Sequence, residues 1–223
     1  MSSTLNAAAT EAAAWMISPD LPDPLPQFSR PLKLGVLASG NGSNLEAIAQ
    51  AIQDGQLQAK VEVLIYNNPS AGVAQRAERW GIPSVLLNHR DFSSREALEA
   101  QIIQVLKTHQ VEWVIMAGWM RRVTEELISA FPHRILNIHP SLLPSFPGIR
   151  AVEQALTAGV KFSGCTVHYV ELEVDSGPII MQAAVPILPD DTPERLQARI
   201  QVQEHRIYPA AIALAAADAF KEE

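Results

Sequence analysis

Leu32-Lys33-Leu34-Gly35-Val36-Leu37-Ala38-Ser39-Gly40-Asn41-Gly42-Ser43-Asn44-Leu45 decides how this chain is read. It opens as a short apolar run containing a β-branched residue, which is the pattern of a buried strand. It turns at Ser39-Gly40-Asn41-Gly42, and helical spacing begins at Leu45 and continues to Gln53. Two glycines let the backbone approach a ligand closely and take positive φ. The N–H groups of Ser43, Asn44 and Leu45 then point outward at a helix N-terminus, where an anion is favoured. The side chains of Ser43 and Asn44 add donors, a set suited to a phosphate monoester. The pattern is not a dinucleotide fingerprint, because Leu45 stands at the third glycine position. Nor is it a Walker loop, since no Gly-Lys-Ser/Thr follows. The plainer alternative is a tight turn with Ser43 or Asn44 as an ordinary helix cap.

Moving outward, strand-like and helix-like segments keep alternating. Strands are expected at 61–66, 83–87, 113–117 and 134–138, and helices at 72–80, 94–107, 123–130 and 151–158. Ser94 is the natural N-cap of its helix. Two adjacent strands, 162–170 and 179–187, follow, joined by a turn with Asp175-Ser176-Gly177-Pro178. Thr192 caps a last helix, with Pro193 in its first turn, that runs to about Phe220. This is an α/β fold: a mostly parallel, Rossmann-like sheet with helices on both faces and an antiparallel C-terminal addition. Ligands in such sheets bind at the carboxyl ends of the strands.

The N-terminal residues 1–31 differ from the domain at 32–223. They combine an alanine-rich start with Pro19-Asp20-Leu21-Pro22-Asp23-Pro24-Leu25-Pro26, which cannot sustain a helix. They are expected to form a flexible or loosely docked extension, with a docked partner-binding arm as the sharper alternative. The chain has 223 residues, 48% of them hydrophobic, enough for one sizeable domain. A formal net charge of −7 gives no global attraction for nucleic acid or an anionic membrane. No apolar run reaches bilayer length and no secretory signal is visible. Cys165, the one cysteine, cannot form an internal disulfide, which fits a reducing, cytoplasmic setting. The six histidines do not fall into metal-ligand spacing, so no metal is expected.

Asn137-Ile138-His139-Pro140-Ser141-Leu142-Leu143-Pro144 lies where a strand ends. Residues two apart on an extended chain share a side, so Asn137 and His139 project together. An amide beside an imidazole suits stabilisation of a developing oxyanion, and the imidazole can carry a proton. Asp175 is the natural carboxylate partner for His139, although from the sequence alone an Asx-type turn before Gly177 explains it better. His168 falls on a strand, and Cys165 reads as a small buried residue; a Cys–His nucleophile pair is the alternative, but nothing signals an activated thiol.

Together these segments resemble the glycinamide ribonucleotide formyltransferase family, over roughly residues 33–216. The strongest pieces are Gly40-Asn41-Gly42-Ser43-Asn44, the Asn137 to Pro144 segment and Asp175-Ser176-Gly177-Pro178, with Gln201-Val202-Gln203-Glu204-His205-Arg206-Ile207-Tyr208-Pro209 later in the chain. The resemblance implies that Gly42, Ser43 and Asn44 hold a substrate phosphate, and that Gln201 and Glu204 contact the glycinamide part. It implies folate contacts from Arg95, from Met120, Arg121, Arg122 and Val123, from the loop Glu171 to Asp175, and from Asn137. Asn137, His139 and Asp175 would be the catalytic trio. The implied reaction is attack of the substrate amine on the formyl carbon of 10-formyltetrahydrofolate, with no metal. The implied partners are those two small molecules, without nucleic acid or membrane, in a monomer or homodimer. One position departs from the family: Arg122 stands where an aliphatic residue is usual. Methionyl-tRNA formyltransferases and formyltetrahydrofolate deformylases look similar in the catalytic half but carry extra domains. A non-catalytic nucleotide-binding module would not need Asn137, His139 and Asp175 together, and a nicotinamide-dependent oxidoreductase is disfavoured by Leu45.

Overall fold

In the computed structural model, which describes residues 16–221, the opening stretch becomes the middle strand of the parallel run and the helix that follows it. The strands are β1 (Ile17–Ser18), β2 (Leu32–Ala38), β3 (Ala59–Tyr66), β4 (Ser84–Leu86), β5 (Trp113–Met116), β6 (Ile135–His139), β7 (Phe162–Tyr169) and β8 (Ile179–Pro186). The helices are α1 (Ser43–Gln53), α2 (Val73–Arg79), α3 (Arg95–Thr108), α4 (Glu125–Ala130), α5 (Ala151–Ala158) and α6 (Pro193–Ala219). Ser94 caps α3 by accepting from the Ala97 N–H at 3.1 Å, and Thr192 caps α6 through the Arg195 N–H at 3.3 Å.

All eight strands form one sheet in the order β1-β8-β7-β6-β5-β2-β3-β4. The run from β4 through β3, β2 and β5 to β6 is parallel, and β7, β8 and β1 add antiparallel. β2 takes the middle because its side chains on both faces are apolar: Leu34, Val36, Leu37 and Ala38 are fully buried. Helices cover both faces, as the alternation predicts. One face packs Leu45 and Ile48 of α1, Val73 and Ala77 of α2, Val152 of α5 and the apolar side of α6. The other packs Leu98, Ile102 and Leu106 of α3 with Leu127 of α4. The Tyr208 hydroxyl, fully buried on α6, reaches the carbonyls of Met116 and Leu136 at 3.1 and 3.2 Å, tying α6 to β5 and β6.

Of the extension, residues 1–15 lie outside the described residues. Residues 16–31 lie along the body. β1 pairs with the free edge of β8, and Leu21, Leu25 and Phe28 pack against the core face that holds α1 and α6. A two-residue strand carries no alternation to read, and its pairing is decided by the edge that β8 offers.

Candidate active site

Three parallel strands end side by side, so their loops meet. The loop after β2 is stitched to the loop after β5: the Ser39 N–H donates to the Gly118 carbonyl at 3.0 Å, and the Met120 N–H donates to Ser39 Oγ at 2.9 Å. The end of β6 adds Asn137 and His139. β7 runs back beside β6 in a register that sets His168 against Asn137 and Thr166 against His139. The loop after β7 brings Asp175 over this floor with φ of 55°. Aspartate is among the few residues that tolerate that conformation. Gly177 lets the loop close, because a Cβ there would stand 1.9 Å from the Tyr169 carbonyl oxygen.

Asp175 is the hub. Its Oδ2 accepts from the Gly148 N–H at 2.8 Å and faces His139 Nδ1 at 3.4 Å. Its Oδ1 lies 3.6 Å from His168 Nε2. His139 Nε2 is 2.9 Å from the Phe146 carbonyl, which can only accept, so Nε2 carries a hydrogen. A proton on Nδ1 then makes the contact with Asp175 an ion pair. His168 Nδ1 likewise carries a hydrogen, donated to the Tyr169 carbonyl at 2.7 Å. Asn137 Nδ2 is 3.2 Å from His168 Nε2. The three side chains are largely buried, with exposures of 9% for Asp175, 7% for His139 and 2% for His168. Burial is the largest influence on the Asp175 carboxyl and would lift it. The hydrogen bond with His168, the Gly148 N–H and the charges of His139 and His168 together outweigh it and hold the carboxyl below its usual value.

Above this cluster opens a cavity of about 550 Å³. Met120, Arg121, Arg122, Val123 and Glu171 line it together with Asn137, His139, His168 and Asp175. Its rim presents apolar side chains to solvent, Met120, Ile149 and Leu172 among them. Its size and mostly apolar lining suit a flat heterocycle. Arg121 Nε is buried there without a hydrogen-bond partner, a donor left for a ligand. A polar cleft lined by Arg95, Glu96, Arg122 and Thr124 continues from the cavity mouth. The wall is braced from beneath by buried Glu99, which accepts from the Thr124 N–H and hydroxyl.

The glycine-rich loop is built differently. Gly42, at φ of 82°, is itself the N-cap of α1, and no side chain caps that helix. A Cβ on Gly42 would stand 2.5 Å from Val73 Cγ2. Neither Ser43 nor Asn44 is therefore an ordinary cap, and the first-turn N–H groups keep no partner within the helix. The Asn44 side chain departs from the expectation of a donor aimed outward. Its Nδ2 donates to Glu204 Oε2 at 2.9 Å, and its Oδ1 is buried without a partner. Glu204 is buried rather than on a solvated helix face, and that burial pushes its carboxyl up, with the Asn44 hydrogen bond opposing. Gln201, one turn earlier on α6, is half-buried. Residues 42–44, Gln201 and Glu204 do not line the catalytic cavity; Arg95 lines only its outer cleft.

His168 is the member of the cluster that sequence reading did not single out. Its signal was a histidine in a strand otherwise made of small and apolar residues. Cys165, three positions earlier, falls on the opposite face, and burial pushes its thiol up, so no Cys–His nucleophile forms. Among the described residues, no group of three or more His, Cys, Asp or Glu is gathered for a metal ion, and no helix is long and apolar enough to cross a membrane.

Comparison with known proteins adds the following. Residues 32–212 match the family model described as formyl transferase. Phosphoribosylglycinamide formyltransferase of Bacillus subtilis is 46% identical over 180 residues, 81% of this chain and 92% of that protein. The trifunctional purine biosynthetic protein adenosine-3 of Drosophila pseudoobscura pseudoobscura is 46% identical over 197 residues. That match takes 87% of this chain, which spans only 14% of the trifunctional protein. The crystal structure of glycinamide ribonucleotide transformylase 1 from Symbiobacterium toebii superposes with a TM-score of 0.84 at 46% identity, covering 86% of this chain and 90% of that one.

Proposed function

We infer that this chain, which belongs to the formyl transferase family, transfers the formyl group of 10-formyltetrahydrofolate to the amine of glycinamide ribonucleotide, a step of purine biosynthesis. The observation that carries the reading is the largely buried Asn137–His139–Asp175–His168 cluster at the floor of an apolar cavity. The fit to a folate rests on the cavity's size, its apolar rim and the unpartnered Arg121 Nε. Met120, Arg121, Arg122, Val123 and Glu171 would hold the heterocycle, and Arg95 and Arg122 the acidic tail beyond it. When bound, this co-substrate supplies a formyl carbon open to attack by an amine.

Negative charge grows on the formyl oxygen as the amine adds. Asn137 Nδ2 is the donor placed to meet it, with the positive charge of a doubly protonated His139, its Nδ1–H shared with Asp175, beside it; one such donor contributes on the order of 3 kcal/mol. Asp175 keeps the His139 proton in place. The attacking nitrogen sheds a proton and the departing nitrogen needs one; Asp175 and His139 are the groups able to hold it in transit. His168 sets the Asn137 amide. With Nε2 bare it accepts from Asn137 Nδ2; with Nε2 protonated it donates to Asn137 Oδ1, which turns Nδ2 free for the formyl oxygen. The ribonucleotide phosphate sits on the open N–H groups of Ser43 and Asn44 at the start of α1, and its glycinamide part near Gln201 and Glu204. The reading makes the partners small molecules, requires neither nucleic acid nor membrane, and places the chain in the cytoplasm.

The test is release of tetrahydrofolate from 10-formyltetrahydrofolate, with and without glycinamide ribonucleotide. Release that depends on the ribonucleotide and is lost in Asp175→Asn is the expected result. Release that ignores the ribonucleotide would make the chain a deformylase instead.

A further inference from the structure

The segment ahead of the family domain is anchored at three places. β1 pairs with β8, and the Ala184 N–H donates to the Met16 carbonyl at 2.7 Å. The Phe28 N–H donates to Gln58 Oε1 at 2.6 Å, and the Phe28 ring packs 5.7 Å from that of Phe220. Arg30 makes a two-pronged ion pair with Glu112 at 2.6 and 2.9 Å. Between the first two anchors, residues 21–27 arch over a cavity of about 700 Å³ whose walls are α1, at Ala47 and Ala51, and α6, at His205 and Pro209.

Those two helices carry the phosphate-side residues. They meet where Asn44 Nδ2 reaches Glu204 Oε2, one residue before His205. Glu204 turns inward to α1, and His205 turns toward the arch. α6 is poorly held here by its own backbone, since Pro209 has no N–H for the carbonyl of His205. His205 Nε2 is also buried without a partner. The catalytic cavity, by contrast, is lined by no residue of the arch, of α1 or of α6.

We propose that residues 21–28 are a positioning brace for the ribonucleotide half of the site, holding α6 against α1 so that Glu204 and the start of α1 keep their spacing. The brace lies outside the matched domain at 32–212 and rests on the reading that α1 and α6 hold the ribonucleotide. It predicts selectivity: loosening the arch weakens the ribonucleotide and leaves the folate alone, because the two halves are walled by different elements.

The experiment uses the full chain with Leu25→Ser, Phe28→Ala and, as a control at the far anchor, Arg30→Ala. KM for each substrate, kcat, and the calorimetric Kd for glycinamide ribonucleotide are measured, with melting curves to confirm folding. In Leu25→Ser and Phe28→Ala, KM and Kd for the ribonucleotide rise roughly fivefold while KM for 10-formyltetrahydrofolate and kcat hold. Arg30→Ala changes none of them. Phe28→Ala carries the test if Leu25→Ser does not fold. Both KM values moving together, or neither moving, overturns the brace while leaving formyl transfer intact. A wild-type chain without ribonucleotide-dependent release overturns both.

Discussion

The two halves of the site treat their polar groups in opposite ways. Around Asp175, donors and acceptors are matched inside the protein: Gly148 N–H, His139, His168, Asn137 and the carbonyls of Phe146 and Tyr169 interlock in a nearly dry setting. At the start of α1 the reverse holds. Gly42 leaves the helix uncapped, Asn44 Oδ1 has no partner, and a buried Glu204 keeps its carboxyl above the usual range. The first half is organised in advance for charge that appears only during reaction. The second, on the proposed reading, leaves its first-turn N–H groups open for a charge that arrives with the ligand. A chemical step needs fixed geometry; a binding step needs unmet groups.

Substitutions sharpen this contrast. The largest effect is expected from Asp175→Asn, which keeps the shape but removes the charge that orders both histidines. kcat should fall by about 10²- to 10⁴-fold with the ribonucleotide KM nearly unchanged, in steady-state assays varying each substrate. A rise in that KM with kcat retained would break the division of labour.

Gly42→Ala acts on the other half. A side chain at φ of 82°, pressed on Val73, costs about 1–3 kcal/mol, read from urea unfolding, and raises the ribonucleotide KM. The folate KM should hold.

The smallest effect concerns Glu204→Gln. Because burial raises the folded-state carboxyl above its ordinary 4.5, Glu204 favours folding most at low pH, and that contribution is lost as pH rises through the folded value. Gln does not titrate, so the variant's Tm relative to wild type should be higher at pH 8 than at pH 5. Ribonucleotide affinity should fall in the same variant, which would mark Glu204 as kept for binding at the expense of stability.

Much of this was legible in the chain itself. Strand and helix alternation, the Ser94 and Thr192 caps and the glycine turn after β2 are local facts, set by side-chain periodicity and backbone conformation over a few residues. So was the pairing of Asn137 with His139, two apart on one strand. The trio could be named only through a family resemblance, because Asp175 is far from His139 in sequence and their approach depends on β7 running antiparallel to β6. His168 stayed hidden for the same reason: its meaning comes from the register that sets it beside Asn137. Asn44 was read as an outward donor because a helix N-terminus is local, whereas its partner Glu204 comes from the other end of the chain.

Short-range order, then, was the sequence's own: which segments are strands, which are helices, and where the glycine turn leaves the first N–H groups of α1 uncapped. Only the tertiary structure decided which distant side chains come together, that His139 and His168 both face Asp175 while His168 also meets Asn137, and that residues 21–28 run along α1 and α6. The physical reason is range. Periodicity, capping and φ preferences act between near neighbours in the chain, while burial, ion pairing and amide orientation depend on what long-range strand pairing and helix packing bring together.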